Sequence, residues 1–162
     1  MKKIFSTIII LMCLSISSQS QNSLPNLELK SINGTNVKLT DFGAKDQVLV
    51  FSFWATWCVP CINELDAVNE EYTDWQEETN VNLVAVSIDN ARTSSRVKPL
   101  VNGKEWEYEI ILDTNQDFKR ALNITSIPYL IIVKNNKILY RHSGYTPGAE
   151  IELYEKIKEY AQ

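Results

Sequence analysis

The run Val48-Leu49-Val50-Phe51-Ser52-Phe53-Trp54 is apolar at every position but Ser52 and rich in β-forming residues. Such a run reads as a strand buried on both faces, which requires helices packed over a sheet. Three residues later a helical pattern begins, with Cys61, Leu65, Val68, Tyr72 and Trp75 recurring at three- and four-residue steps and Ile62 beside them. The junction reads Ala55-Thr56-Trp57-Cys58-Val59-Pro60-Cys61. A core strand therefore delivers two cysteines, three positions apart, onto the start of a helix.

That placement makes the pair reactive. A helix N-terminus presents unpaired N–H groups and roughly +0.5 of partial charge. A thiolate there is stabilised, and its pKa falls from ~8.5 toward ~3.5–7.5. Pro60 fits the first turn, which needs no donor from its nitrogen. Cys61 projects onto the middle of the apolar stripe and should be buried, with Cys58 at the helix tip more exposed. A nucleophile and a resolving thiol need that asymmetry. Glu64 falls about 60° to the side of the same stripe. Desolvation there should raise its pKa, so that it can take or return the proton of Cys61. The alternative is a solvated acid favoured by the first helical turn.

A purely structural bridge is the weaker reading, because so short a loop adds little chain-entropy stabilisation. Zinc needs three or four ligands. Once the N-terminal segment is set aside, only Cys58, Cys61 and the single His142 remain, so no metal is expected. His142, on a late strand, reads as a non-catalytic surface residue.

The chain has 162 residues, 44% hydrophobic and 22% charged, which suits one globular domain. Its net charge of −4, with no basic patch, argues against a nucleic-acid partner. Residues 1–20 read as a secretory signal: Lys2 and Lys3, an apolar run, then Ser17-Ser18-Gln19-Ser20. Cleavage after Ser20 leaves a domain over 21–162, exported to the periplasm or cell envelope. Cys13 lies within the apolar run. Lipid attachment there is the weaker alternative, because Met12 precedes it where a small residue is expected.

Along the rest of the chain, residues 24–40 read as a hairpin turning at Asn33-Gly34. Residues 82–89 and 108–112 read as strands with a weak helix over 92–102 between them. Asp113 is placed to cap a helix through Phe118 and Leu122. Residues 127–133 and 137–141 form a second hairpin about Asn135-Asn136. The last helix, over 150–160, should turn Ile151, Tyr154, Ile157 and Tyr160 to the core. The order is a hairpin followed by β-α-β-α-β-α-β-β-α, a central mixed sheet covered by helices.

The run Phe53-Trp54-Ala55-Thr56-Trp57-Cys58-Val59-Pro60-Cys61, with Glu64 and the later Ile127-Pro128, resembles thioredoxin-like proteins. More specifically it resembles the exported TlpA/ResA-like thiol–disulfide oxidoreductases, over residues 24–161. The resemblance implies an α/β thioredoxin-like fold with an N-terminal β-hairpin and an extra strand–helix insertion between Asp89 and Asn115. It implies Cys58 as nucleophile, Cys61 as resolving cysteine, the two forming a redox-active disulfide, and Glu64 as the active-site acid. It implies a cis Ile127–Pro128 bond beside the dithiol. Trp57, Pro60, Ile127 and Pro128 would then contact a client segment that adds as a strand. Gly144 resembles a family glycine near the site. Two departures stand out. Ser52 occupies the place of the buried Asp of cytosolic thioredoxins, so Glu64 has to take over that acid's role. Asp66 replaces a helix-kinking Pro that relatives often carry.

The function implied is reduction of client-protein disulfides without a metal or organic cofactor, by a monomer recharged by a membrane electron-donor thiol reductase. A disulfide oxidase or isomerase would use the same residues. A non-catalytic binding module is a third reading, against which the intact cysteine pair argues. A peroxidase fits less well, given the Trp-Cys-x-Pro-Cys run.

Overall fold

The structure, a computed structural model, describes residues 22–43 and 46–162; the expected signal segment and Cys13 lie outside them. The described elements are β1 (Glu28–Ser31), β2 (Asn36–Lys38), α1 (Leu39–Phe42), β3 (Leu49–Trp54), α2 (Val59–Thr79), β4 (Asn82–Ser87), α3 (Val97–Lys104), β5 (Glu109–Leu112), α4 (Asp117–Ala121), β6 (Tyr129–Lys134), β7 (Lys137–Ser143) and α5 (Ala149–Ala161). The first hairpin turns where Asn33-Gly34 predicts: Gly34 takes φ +85 and its N–H donates to the Ser31 carbonyl at 2.9 Å. The single turn α1 is an addition to the expected order.

One sheet holds the strands in the order β2-β1-β5-β4-β3-β6-β7. The central three, β5, β4 and β3, are parallel; β6 runs antiparallel to β3, β7 to β6 and β1 to β5. Every residue of β3 is buried, as its composition requires. Alternation sends its side chains to two separate cores. Phe51 and Phe53 meet Phe118 of α4, with ring centroids 5.2 and 5.0 Å apart, and Phe42 of α1 closes on Phe51. Ser52 and Trp54 point to the opposite face, beneath α2 and Trp106.

Helix α2 buries Cys61, Glu64, Leu65, Val68, Tyr72 and Trp75. Asp66 ties it to the inserted segment. Its carboxylate accepts from Trp106 Nε1 at 2.9 Å and pairs with Lys104 at 2.5 Å. The Tyr108 hydroxyl donates to the Leu65 carbonyl next door. Asp113 is fully buried and accepts from the N–H groups of Phe118 (3.1 Å) and Lys119 (2.9 Å), as a cap for α4 should.

The last helix differs from expectation in two residues, Ile151 and Leu153. Leu153 and Ile157 are its buried residues, whereas Ile151 is 67% exposed. Steps of three residues drift by about 60° each on a helix. The stripe drawn through Ile151 therefore left the packed face, which is centred on Leu153 and Ile157.

Phe118→Ala should destabilise the fold by about 3–5 kcal/mol, because it empties a site that two β3 phenylalanines cannot refill. Urea unfolding at equilibrium measures it; a loss below ~1 kcal/mol would show that this second core matters little.

Candidate active site

The chain leaves β3 at Trp54 and re-enters regular structure at Val59, so the site lies at the carboxyl ends of parallel strands. Cys58 is the N-cap of α2, with extended backbone. Its N–H donates to the Ala55 carbonyl at 3.0 Å, and its own carbonyl accepts from Ile62 at 3.1 Å. Pro60 sits in the first turn. Cys58 and Cys61 are joined by a disulfide, with Cα atoms 5.3 Å apart. Cys61 is fully buried, as expected. Cys58 is the more exposed of the two, as expected, but only at 6%. Its sulfur is held inward by the bond to Cys61. Exposure passes instead to its neighbours Trp57 (58%) and Val59 (65%).

Glu64 lies one turn along α2 from Cys61, a spacing that puts Cβ atoms about 5–6 Å apart. It is 4% exposed. Burial pushes its carboxyl from 4.5 up to about 7. The Ser52 hydroxyl donates to Glu64 Oε2 at 3.0 Å and pulls the other way, while the nearby negative charge of Glu150 adds to the rise. Desolvation outweighs the hydrogen bond. Ser52, read from sequence only as the replacement for a missing acid, is thus a direct partner of the acid that is present. A cavity of about 10 Å³, the size one water fills, is bounded by Glu64, Leu130, Tyr140, His142 and Glu150, among others. His142 pairs across the sheet with Leu130, and Leu130 with Ser52. It therefore shares the inner face with Glu64 and is half-buried, not a surface residue.

Ile127–Pro128 is a cis peptide bond. Tyr129 pairs with Phe53, so the preceding Pro128 lies level with the end of β3, where the cysteine loop starts. Its carbonyl accepts from the Gly144 N–H at 2.8 Å. Gly144 has φ +89, a conformation side chains disfavour. Among the described residues, neither backbone group of Ile127 takes part in a backbone hydrogen bond. The fold thus brings Trp57, Cys58, Pro60, Cys61 and Glu64 together through α2, and Ile127 and Pro128 through β6.

Two further residues escaped the sequence analysis. Thr56 donates its N–H and its hydroxyl to the carboxylate of Asp89, at 2.8 and 2.7 Å. The only signal was an acid ending an apolar strand, a pattern shared with ordinary solvent-facing ends. Among the described residues no group of three or more His, Cys, Asp or Glu is placed to hold a metal.

A disulfide bridging the first turn of a helix, fed by a buried strand and flanked by a cis-proline loop, defines a thioredoxin-like thiol–disulfide oxidoreductase. The sequence comparison agrees: the chain belongs to the AhpC/TSA family, whose sequence model matches residues 21–142. Thiol-disulfide oxidoreductase ResA of Bacillus anthracis is 27% identical over 133 residues, covering 82% of this chain and 74% of that one. A thioredoxin-like protein of Porphyromonas gingivalis, solved in solution, is 46% identical with a TM-score of 0.75, over 90% of this chain and 94% of its own. A crystal structure of a Chlorobium tepidum protein described as a thiol:disulfide interchange protein DsbE shares the fold at 21% identity. Its TM-score is 0.76, over 90% of this chain and all of that one.

The raised Glu64 pKa carries a stability signature in the oxidised protein. Below pH 4.5 the folded and unfolded states are both protonated and Glu64 costs nothing. Between 4.5 and about 7 the unfolded state gives up its proton first, so folding weakens as pH rises. Glu64→Gln should therefore gain on the wild type across that window, by roughly 3 kcal/mol at its top, and run parallel to it outside. Denaturation of both proteins from pH 4 to 8 checks this; parallel curves throughout would mean an unshifted carboxyl.

Proposed function

We propose that the protein reduces disulfides of client proteins in the cell envelope, with Cys58 as nucleophile, Cys61 as resolving thiol and Glu64 as the acid–base group. In the reduced protein the Cys58 thiolate attacks one sulfur of a client disulfide. That bond breaks, one client sulfur leaves as thiolate, and the other is joined to Cys58. Cys61 passes its proton to Glu64 and attacks Cys58. The intramolecular disulfide forms and the second client thiolate is released. Two electrons move from the dithiol to the client, whose thiolates take up protons from solvent and Glu64.

The observation that carries this reading is Glu64: a carboxyl at about 7, one helical turn from the buried cysteine, is ready to exchange a proton near neutral pH. Support for the client contact comes from exposed Trp57 and Pro60 and from the backbone of Ile127 beside Pro128, which makes no backbone hydrogen bond among the described residues; these fit an added client strand. The relative named ResA supports the exchange chemistry. A membrane electron-donor thiol reductase recharges the pair. The envelope location rests on the signal-like residues 1–20, which also assign the domain to 21–162; among the described residues no helix is long and apolar enough to cross a membrane.

Cys61→Ala should trap clients on Cys58 as mixed disulfides, seen on non-reducing gels and mapped to Cys58 by mass spectrometry. Absence of any trapped species would remove the exchange mechanism. Direction is read from the reduction potential of the pair. A value near about −270 mV fits a reductase, and one near about −120 mV would make the protein an oxidant.

A further inference from the structure

Asp89 is a buried carboxylate with no part in the exchange just described. It lies two residues beyond β4 and is 1% exposed. Its Oδ2 accepts from the Thr56 N–H at 2.8 Å and from Ser87 Oγ at 2.9 Å. Its Oδ1 accepts from Thr56 Oγ1 at 2.7 Å. Its own N–H donates to Ser87 Oγ at 3.2 Å. Three donors thus converge on one carboxylate, two of them from a single residue.

That residue stands two positions before Cys58. The strand end is fixed too, since the Ile88 N–H donates to the Trp54 carbonyl at 2.9 Å. The segment from Trp54 to Thr56 is therefore anchored to the end of β4, a neighbouring strand, as well as to the start of α2 through the Ala55 carbonyl and the Cys58 N–H. None of these bonds uses either sulfur. Breaking the disulfide removes the covalent tie of Cys58 to Cys61 and does not itself break any of the bonds to Thr56. The stabilisation that a helix N-terminus gives a thiolate falls off within the first turn, so it depends on where the sulfur stays.

We propose that Asp89 is a positioning residue for Cys58: through its paired bonds to Thr56 it keeps the nucleophile at the N-terminus of α2 in the reduced protein. This rests on the reading of Cys58 as nucleophile. A purely structural Asp89 would matter to folding and leave the chemistry of Cys58 alone. A positioning Asp89 sets both the thiolate fraction and the rate of attack, because small misplacements of a reacting group cost rate steeply, up to about 100-fold for 1 Å.

The test is the rate of alkylation of Cys58 by iodoacetamide as a function of pH. It is read peptide by peptide by mass spectrometry on the reduced full chain, so that Cys13 and Cys61 are counted separately. Thr56→Val keeps the N–H bond and the Asp89 charge but loses the hydroxyl bond. Thr56→Ser keeps both bonds. Asp89→Ala removes the whole clamp; should it fail to fold, the Thr56 pair decides. Thr56→Val should react about tenfold more slowly at pH 7, with the profile displaced to higher pH. Thr56→Ser should restore the wild-type rate within about twofold. A Thr56→Val protein that reacts like the wild type, whether or not its thermal midpoint falls, overturns the clamp and leaves the nucleophile standing. A wild-type Cys58 no more reactive than a free thiol overturns the nucleophile reading, and the clamp with it.

Discussion

The structure turns on the junction between β3 and α2. A strand with all six residues buried cannot sit at a sheet edge, so it must have neighbours on both sides and helices on both faces. Parallel pairing with β4 then puts the carboxyl ends of β3 and β4 side by side, and α2 has to start there to cover one face. The site follows from that geometry. The first turn of α2 brings the cysteine pair, the end of β4 brings Asp89, and the antiparallel pairing with β6 brings Pro128 level with the same loop.

The electrostatics of the site are divided by depth. At the mouth, the partial positive charge of the helix terminus falls on Cys58, the N-cap residue. One turn inward, burial disfavours a charged Glu64, and the hydrogen bond from Ser52 is too weak to reverse that. A hydrogen bond to a charged group contributes about 1.5–3 kcal/mol, whereas removing a carboxylate from water costs several. The outcome is a carboxyl near 7 in place of the ordinary 4.5. Asp89 is as buried as Glu64, but three donors point at it. Two buried carboxylates, Glu64 one turn along the helix from Cys61 and Asp89 bonded to the loop before Cys58, thus face different surroundings, the one suited to proton exchange, the other to holding a loop.

Much of this was legible along the chain, for reasons that particular residues make plain. The stripe from Cys61 to Trp75 matches the buried face of α2 because the helix is long enough for its period to dominate. Asn33-Gly34 and Asp113 act within a few residues of themselves, so a turn and a cap could be read locally. Ile151 falls off the packed face because five large apolar residues on a short helix fit more than one stripe. Cys58 is more exposed than Cys61, as the pattern implies, but the size of the difference depends on the disulfide, of which periodicity says nothing. Thr56 and Asp89 stand 33 residues apart, and no local pattern connects them.

By itself the sequence determined the principal elements, the cysteine pair and the candidate acid, since each rests on periodicity or on neighbours within one helical turn. Only the tertiary structure decided how deeply Glu64 is desolvated, that Ser52 is the group touching it, that His142 faces the same interior, and that Asp89 grips the cysteine loop. These depend on which strands lie side by side, and strand order is fixed by packing between segments far apart in the chain. A carboxylate's proton affinity is a property of its surroundings, and here the surroundings come from β3, β7 and α5 as much as from the helix that carries it.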